Sequence, residues 1–220
     1  MRPEKRMERM SMDKTDLRAE RKDLYSPPRG RFVEVVVPQM TFLAVDGQGD
    51  PNTSEDYRHV VEALFSVSYA AKFLSKRELG RDYVVLPLEG LWDAADLTAF
   101  ERGAKGEWSW TMMVRQPEWV PTTLLERALE GARAKRLPAL PRVRYQTLLE
   151  GLCVQTLHVG SYDDEAPLLR TLHQEHLPQH GLVPTDRHHE IYLNDPRRTT
   201  PAKLKVVLRQ PVEHQSPGSR

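Results

Sequence analysis

The residues best suited to chemistry are a carboxylate and a phenol, two positions apart in the segment HHEIYLND at residues 188–195. Successive side chains of a strand point to opposite faces, so Glu190 and Tyr192 lie side by side, with Cα atoms roughly 6.5–7 Å apart, and His188 shares their face. A carboxylate in this setting can accept a proton from water, and a neighbouring phenol can hydrogen-bond to either partner. The pair is therefore the first candidate for a catalytic or binding centre.

All four tryptophans of the chain fall in one stretch of its middle, at positions 92, 108, 110 and 119. Strand alternation places Trp108, Trp110 and Met112 on one face of WSWTMMVR, and it places Trp92 on the face of LEGLW opposite Glu89. Aromatic rings beside a carboxylate suit a flat, apolar or cationic guest. Tryptophans in strands are more often core residues, and the sequence leaves open which of these faces meet.

Two other kinds of centre are weaker candidates. Three histidines at positions 173, 176 and 180 follow helical spacing near Glu175, but the zinc-protease arrangement of two histidines four apart around a glutamate is missing. Cys153 is typical of a small buried residue in a strand, because the sequence identifies no base to activate its thiol. We therefore expect neither a metal nor a cofactor.

The elements that must position these residues form a pattern that occurs twice. Each half reads strand, helix, strand, strand and ends in Arg-Gln-Pro, at residues 115–117 and 209–211. The first half is predicted to contain strands over 32–45, 83–92 and 108–115, with a helix begun by Thr53 or Ser54. The second half is predicted to contain strands over 152–159, 188–194 and 204–210, with a helix over 164–177. We interpret the repeat as an internal duplication.

The predicted fold class is α+β, built from two strand–helix–strand–strand modules over residues 32–117 and 142–211 that are related by a pseudo-two-fold axis. A linking helix over 121–136 joins the modules, and a short tail follows at 214–220. The antiparallel sheet has its helices on one face and a central groove between the halves, where small-ligand sites tend to lie. Residues 32–213 thus form a single predicted domain.

The first 31 residues differ from the rest in charge. They contain ten basic and six acidic residues, a net charge of +4, which leaves −3 for the remainder of the chain. A basic segment poor in apolar residues is typical of a solvated tail, so we predict a leader that is partly disordered or forms a short helix. Met1 and Met12 are alternative translation starts.

Composition and charge exclude several classes of protein. The 220 residues contain 32 Lys and Arg against 31 Asp and Glu, so no strong positive field attracts nucleic acid or an anionic membrane. The single cysteine excludes an intrachain disulfide and indicates a reducing compartment, hence a cytoplasmic location. No apolar run approaches the roughly 20 residues of a membrane span, and the N-terminus has no secretory signal.

Seven segments in a fixed order make the chain resemble the GyrI-like small-molecule-binding domains. They are MDKTDL, FLAVDGQGDPN, YAAKFLSK, PLEGLW, WSWTMMVRQP, GSYDDEAP and HHEIYLNDPRR. Together they extend from about Met12 to Glu213, nearly the whole chain. The resemblance is to the stand-alone subgroup rather than to domains fused to helix-turn-helix regulators.

The resemblance implies a two-module fold with a central groove and a glutamate of the second half in the pocket, here Glu190. One stand-alone branch of the family hydrolyses the cyclopropane ring of DNA-alkylating cyclopropanoid drugs and so protects the cell. The acid, tyrosine and tryptophan positions of that branch resemble Glu190, Tyr192, Trp92 and Trp110. We therefore expect water-mediated ring opening with Glu190 as general base and Tyr192 as its hydrogen-bonding partner.

The same resemblance implies that Tyr162 and Glu89 lie beside the pocket. We also count Trp108 and Met112 among the ligand-binding residues of the pocket, because they share a face with Trp110. A non-catalytic protein that sequesters or senses its ligand has the same pocket composition, and a protein inhibitor of gyrase is a third alternative. The expected partner is an aromatic or amphipathic small molecule, with no nucleic acid and no membrane. The chain is expected to be a monomer or a weak homodimer.

Overall fold

A computed structural model describes residues 13–94, 106 and 108–215. The strands in these ranges are β1 Val33–Val37, β2 Met40–Gln48, β3 Leu88–Ala94, β4 Trp108–Gln116, β5 Arg144–Leu148, β6 Gly151–Val159, β7 Leu182–Pro184, β8 His188–Tyr192 and β9 Lys205–His214. They form one antiparallel sheet in the order β1-β6-β9-β8-β3-β4-β2-β5, and β7 pairs with the end of β9. The predicted α+β fold with an antiparallel sheet is confirmed.

The helices in the described residues are α1 Leu17–Glu20, α2 Lys22–Tyr25, α3 Glu55–Leu74, α4 Thr122–Ala132, α5 Ala166–Thr171 and α6 Leu177–Gln179. A π-helical turn over Ser75–Leu79 extends α3, and another over Leu172–His176 joins α5 to α6. Within the ranges that the structure describes, no helix has both the length and the apolar character needed to cross a membrane.

The two modules meet through their second strands. Module one runs β2, α3, β3, β4, and module two runs β6, α5–α6, β8, β9. Across the sheet the order is first, third and second strand of module two, followed by second, third and first strand of module one. The pseudo-two-fold arrangement therefore places β8 and β3 side by side at the centre of the sheet.

Two helical layers cover one face of the sheet, which we call the front face, and leave its centre between them. Ser54 begins α3 by accepting a hydrogen bond from the backbone N–H of Tyr57 (3.1 Å), and the apolar stripe of this helix packs on β2 and β4. On the other side, Leu172 and Leu177 pack on β6 and β9. The front of β3 and β8 lies between these layers, at the place where the sequence predicts a groove, and we refer to it as the central groove.

The N-terminal segment covers part of the opposite, back face. It contains the short helices α1 and α2, but it packs on the sheet, whereas its composition is typical of a solvated tail. Leu17, Leu24 and Tyr25 of α1 and α2 are buried there, and Thr15 exchanges backbone hydrogen bonds with residues 82 and 84. The segment is poor in apolar residues, but these three side chains pack against the core of the sheet. Residues 1–12 and 216–220 lie outside the described part of the chain.

Candidate ligand-binding and catalytic site

The centre of the groove is the register pair of Glu190 on β8 with Gly90 on β3. A Cβ atom at Gly90 would lie 2.9 Å from the terminal methyl of Met112 and 3.0 Å from the indole nitrogen of Trp92. Because position 90 has no side chain, the Trp92 ring can lie across β3 and reach towards the neighbouring strand. Glycine at this position therefore brings the tryptophan and the acid together.

A chain of two hydrogen bonds connects the tryptophan to the acid. Trp92 Nε1 donates to Tyr192 Oη (3.0 Å), and Tyr192 Oη donates to Glu190 Oε2 (2.7 Å). An indole nitrogen can only donate, so the phenol oxygen accepts from it and turns its own proton to the carboxylate. Burial and the charge of Glu190 hold the pKa of Tyr192 well above its usual range, so the phenol keeps its proton.

Aromatic rings from both modules line this hydrogen-bonded chain. Trp92 meets Trp108 edge to face at a centroid distance of 5.5 Å, and Tyr192 meets Tyr162 in the same geometry at 5.7 Å. Tyr162 opens the short helical turn before α5. Burial, followed by the charges of Glu165 and Glu190, raises the pKa of Tyr162 to about 12, which agrees with its position beside the acid.

Tyr57 is a groove residue that the sequence interpretation assigned only to the apolar stripe of its helix. It lies in the first turn of α3, and its ring meets Trp110 edge to face at 5.3 Å. Burial, and then electrostatic interaction with Tyr162 and with the Glu190 carboxylate, raise the pKa of Tyr57 above its usual range. Both Tyr57 and Tyr162 lie in the first helical turn after a glycine-containing turn, and that shared position is the signal that could have identified Tyr57.

Trp110 and Met112 are core residues that adjoin the groove. Trp110 is 1% exposed, its ring covers Gly47 on β2, and its indole nitrogen donates to the carbonyl of Gly49 (3.2 Å). Met112 is fully buried beside Gly90. These two side chains fix the shape of the site on the side of module one.

Glu89 does not join the groove, although the resemblance implies it as a neighbour of the pocket. Strand alternation turns it to the back face, where it is fully buried. Its Oε2 lies 3.0 Å from Nε2 of His189, and its Oε1 accepts a hydrogen bond from the Tyr25 hydroxyl at 3.4 Å. The structure therefore separates Glu89 from Glu190 by the thickness of the sheet.

Glu89 belongs instead to a set of buried polar groups that we call the back-face network: Tyr25, Glu89, Glu150, His189 and Arg209. Glu150 connects His189 Nδ1 (2.8 Å) to Arg209 (3.2 Å). Burial opposes both charges, but the pairing is stronger: the pKa of Glu150 falls to about 2 and that of His189 rises to about 9. The imidazole between the two carboxylates is therefore a cation at neutral pH.

The remaining candidates take no part in the groove's chemistry. Cys153 is a buried free cysteine whose pKa is raised to about 12 by burial and by the charge of Glu150, so its thiol stays protonated. Across residues 13–94 and 108–215, no three His, Cys, Asp or Glu side chains are grouped in a way that could hold a metal ion.

The GyrI-like small molecule binding domain model matches residues 32–213, which include both modules and every groove residue described above. The chain belongs to this family. Among curated proteins no match is found. The small-molecule ligand expected from the sequence agrees with this family, whereas the roles of the individual groove residues stay predictions.

Three solved structures show what this GyrI-like domain is similar to. An uncharacterized conserved protein from Listeria innocua is 39% identical, with a TM-score of 0.82, and a hydrolase from the same organism is 37% identical, with a TM-score of 0.78. Each match covers 91% of this chain and 100% of the other. The EcmrR C-terminal domain is 12% identical over 84% of this chain and 98% of its own, with a TM-score of 0.52, which supports the fold alone.

Proposed function

We propose that this protein binds flat aromatic molecules in its central groove and hydrolyses them, by opening the strained three-membered ring of cyclopropanoid DNA-alkylating drugs. The hydrogen-bonded chain from Trp92 through Tyr192 to Glu190 carries the proposal. The 37% identity to a hydrolase supports catalysis in general. Such an activity would detoxify the drug, and the single cysteine is compatible with work in the cytoplasm.

The first step is binding of the drug against the aromatic rings of the groove. The edge-to-face contacts of Trp92 with Trp108 and of Tyr192 with Tyr162 hold these rings at an angle to one another. A flat guest can stack on the exposed part of such rings and displace water from around the acid. Binding in this position brings the three-membered ring close to Glu190.

The chemical step uses Glu190 as general base. The carboxylate takes one proton from water, the water oxygen bonds to the ring carbon, and one C–C bond of the three-membered ring breaks. Its electron pair moves into the carbonyl that is conjugated to the ring. That oxygen takes a proton from solvent, and Glu190 returns its proton to solvent as the product leaves. Tyr192 donates to Glu190 throughout and so keeps the basic oxygen turned to the water.

The test compares wild type with Glu190→Gln on a cyclopropanoid alkylator, and follows the product one water heavier by mass spectrometry. The amide keeps the shape of the side chain but cannot accept the proton, so we expect unchanged ligand binding and turnover lower by about 10²- to 10⁴-fold. Glu34→Gln, at an exposed carboxylate of β1, is the matched control and is expected to behave as wild type. Turnover by Glu190→Gln at the wild-type rate would refute the assignment.

The second candidate is a binding protein without catalysis, which the small-molecule-binding description of the family favours. The same experiment separates the two functions. Recovery of unchanged drug, bound in a one-to-one ratio by wild type and with no product over many hours, supports the binder. Product in molar excess over protein supports the hydrolase.

A further inference from the structure

A third polar side chain, His188, lies on the groove face of β8 beside Glu190. Its register partner on β3 is Trp92, so the imidazole adjoins both ends of the hydrogen-bonded chain described above. His188 Nε2 lies 3.8 Å from Glu190 Oε1, and the two side chains are 11% and 13% exposed. Tyr192 contacts the other carboxylate oxygen, Oε2.

Both ring nitrogens of His188 are buried, and neither has a hydrogen-bond partner within the described part of the chain. The side-chain amide of Gln210 raises the pKa of His188, but the Gln210 nitrogen donates to the carbonyls of Asp186 (2.7 Å) and Pro211 (3.2 Å). No Gln210 atom lies at hydrogen-bonding distance and angle from either ring nitrogen of His188. A buried polar group without a partner destabilises a fold, so an unpaired imidazole beside the acid points to a partner from outside the chain.

The imidazole is neutral at physiological pH. Burial, and then electrostatic interaction with His173 and with the His189 cation, lower its pKa to about 3. A neutral ring has one N–H donor and one lone pair, so in the tautomer protonated at Nδ1 the Nε2 atom accepts a hydrogen bond. Two acceptors 3.8 Å apart cannot bond to each other, but one water can donate to both.

We propose that His188 is a positioning residue that holds the reacting water together with Glu190. This inference rests on the hydrolytic function proposed above. The water donates one hydrogen to Glu190 Oε1 and the other to His188 Nε2, which leaves an oxygen lone pair free to attack the ring carbon. Glu190 takes the first proton, the second stays on the product hydroxyl, and the imidazole neither gains nor loses a proton.

The experiment compares His188→Phe and His188→Asn with wild type, using the same cyclopropanoid alkylator and quenching of tryptophan fluorescence to measure its binding. Phenylalanine keeps a flat ring but removes the acceptor, so we expect a Kd within about 3-fold of wild type and a kcat lower by about 10- to 100-fold. Asparagine restores an acceptor and should recover part of the lost kcat. His180→Phe, at an exposed imidazole of the same chain, is the control and should match wild type.

Separate outcomes overturn the inference and the function on which it rests. If His188→Phe keeps the wild-type kcat, or if its Kd rises by the same factor as its kcat falls, His188 does not position the water. Folding is checked by the melting temperature, and the partial rescue by asparagine is a second readout that a purely structural role does not predict. If wild type itself forms no hydrated product, the proposed hydrolysis is refuted by that measurement. The water-positioning role of His188, which rests on hydrolysis, is then refuted as well.

Discussion

The back-face network makes the stability of this protein depend on pH above neutrality. His189 faces the carboxylates of Glu89 and Glu150, while Arg209 and the Tyr25 hydroxyl contact those same carboxylates. Its pKa is about 9 in the folded chain against an ordinary value of 6.5. A raised folded pKa contributes stability that is fully present below pH 6.5 and is lost as the pH rises through 9.

The size of the effect follows from the two pKa values. A difference of about 2.5 units at roughly 1.4 kcal/mol per unit gives about 3 kcal/mol of unfolding free energy, lost mainly between pH 6.5 and 9. His188 has the opposite effect on the unfolding free energy. Its pKa is about 3 in the folded chain, so as the pH falls below 6.5 this imidazole takes up a proton in the unfolded chain first, and stability decreases. We therefore expect maximal stability near pH 6.5.

Urea unfolding at several pH values between 5 and 9 measures how the unfolding free energy depends on pH. The matched variant is His189→Gln, which retains hydrogen-bonding atoms between the two carboxylates but cannot titrate. We expect it to be less stable than wild type at pH 6.5 and to lose the decline towards pH 9. A wild-type unfolding free energy that stays constant within about 1 kcal/mol from pH 6.5 to 9, or an equal decline in His189→Gln, would refute the reasoning.

Two further predictions concern the side chains that shape the groove. Trp92→Phe removes the N–H that orients the Tyr192 phenol, so turnover of the cyclopropanoid probe should fall by about 10-fold while binding is retained. The control is Trp119→Phe, at a tryptophan packed on Arg81, which should leave the rate unchanged. Gly47→Ala places a methyl group into the Trp110 ring and should cost about 1–3 kcal/mol in urea unfolding. The control is Gly131→Ala in α4, where an added Cβ meets open space; it should be neutral or stabilising by up to about 1 kcal/mol. Equal losses of stability in both glycine variants would contradict the packing argument.

Strand alternation was sufficient to predict which side chains of β8 share the groove face, because that inference needs only one strand. It could not predict that Trp92 reaches Tyr192, since this contact depends on the pairing of β3 with β8 and on the absence of a side chain at Gly90. Pairing between strands about a hundred residues apart is set by the whole sheet. The acid and phenol were therefore identifiable from sequence, and their tryptophan partner only as a candidate.

The wrong and missing predictions from the sequence also have local causes. Glu89 was placed beside the pocket by resemblance, against the alternation that turns it away from Trp92. The segment 32–45 was predicted as one strand, but it forms two: Pro38 lies between β1, which pairs with β6, and β2, which pairs with β4 and β5. The strands β5 and β7 were not predicted, and β7 has only three residues.

The back-face network was missed although one of its members gives a readable signal. His189 shares a face of its strand with Ile191, a fully buried core residue. A histidine on an apolar face needs a polar partner, and this requirement predicts an acid nearby. The sequence does not say which acid, because Glu150 and Glu89 come from other strands and loops.

The pairing of Gly90 with Glu190 has a consequence for how a ligand can enter. The two halves of a duplicated fold could offer equivalent surfaces, and a symmetric pocket would accept a guest in either of two orientations. Here one half contributes a charge, and at the same level the other half contributes the Trp92 and Met112 side chains that lie over Gly90. We therefore expect a bound ligand to take one orientation, with its polar part at Glu190 and its apolar part at Trp92, although the scaffold around the groove is nearly symmetric.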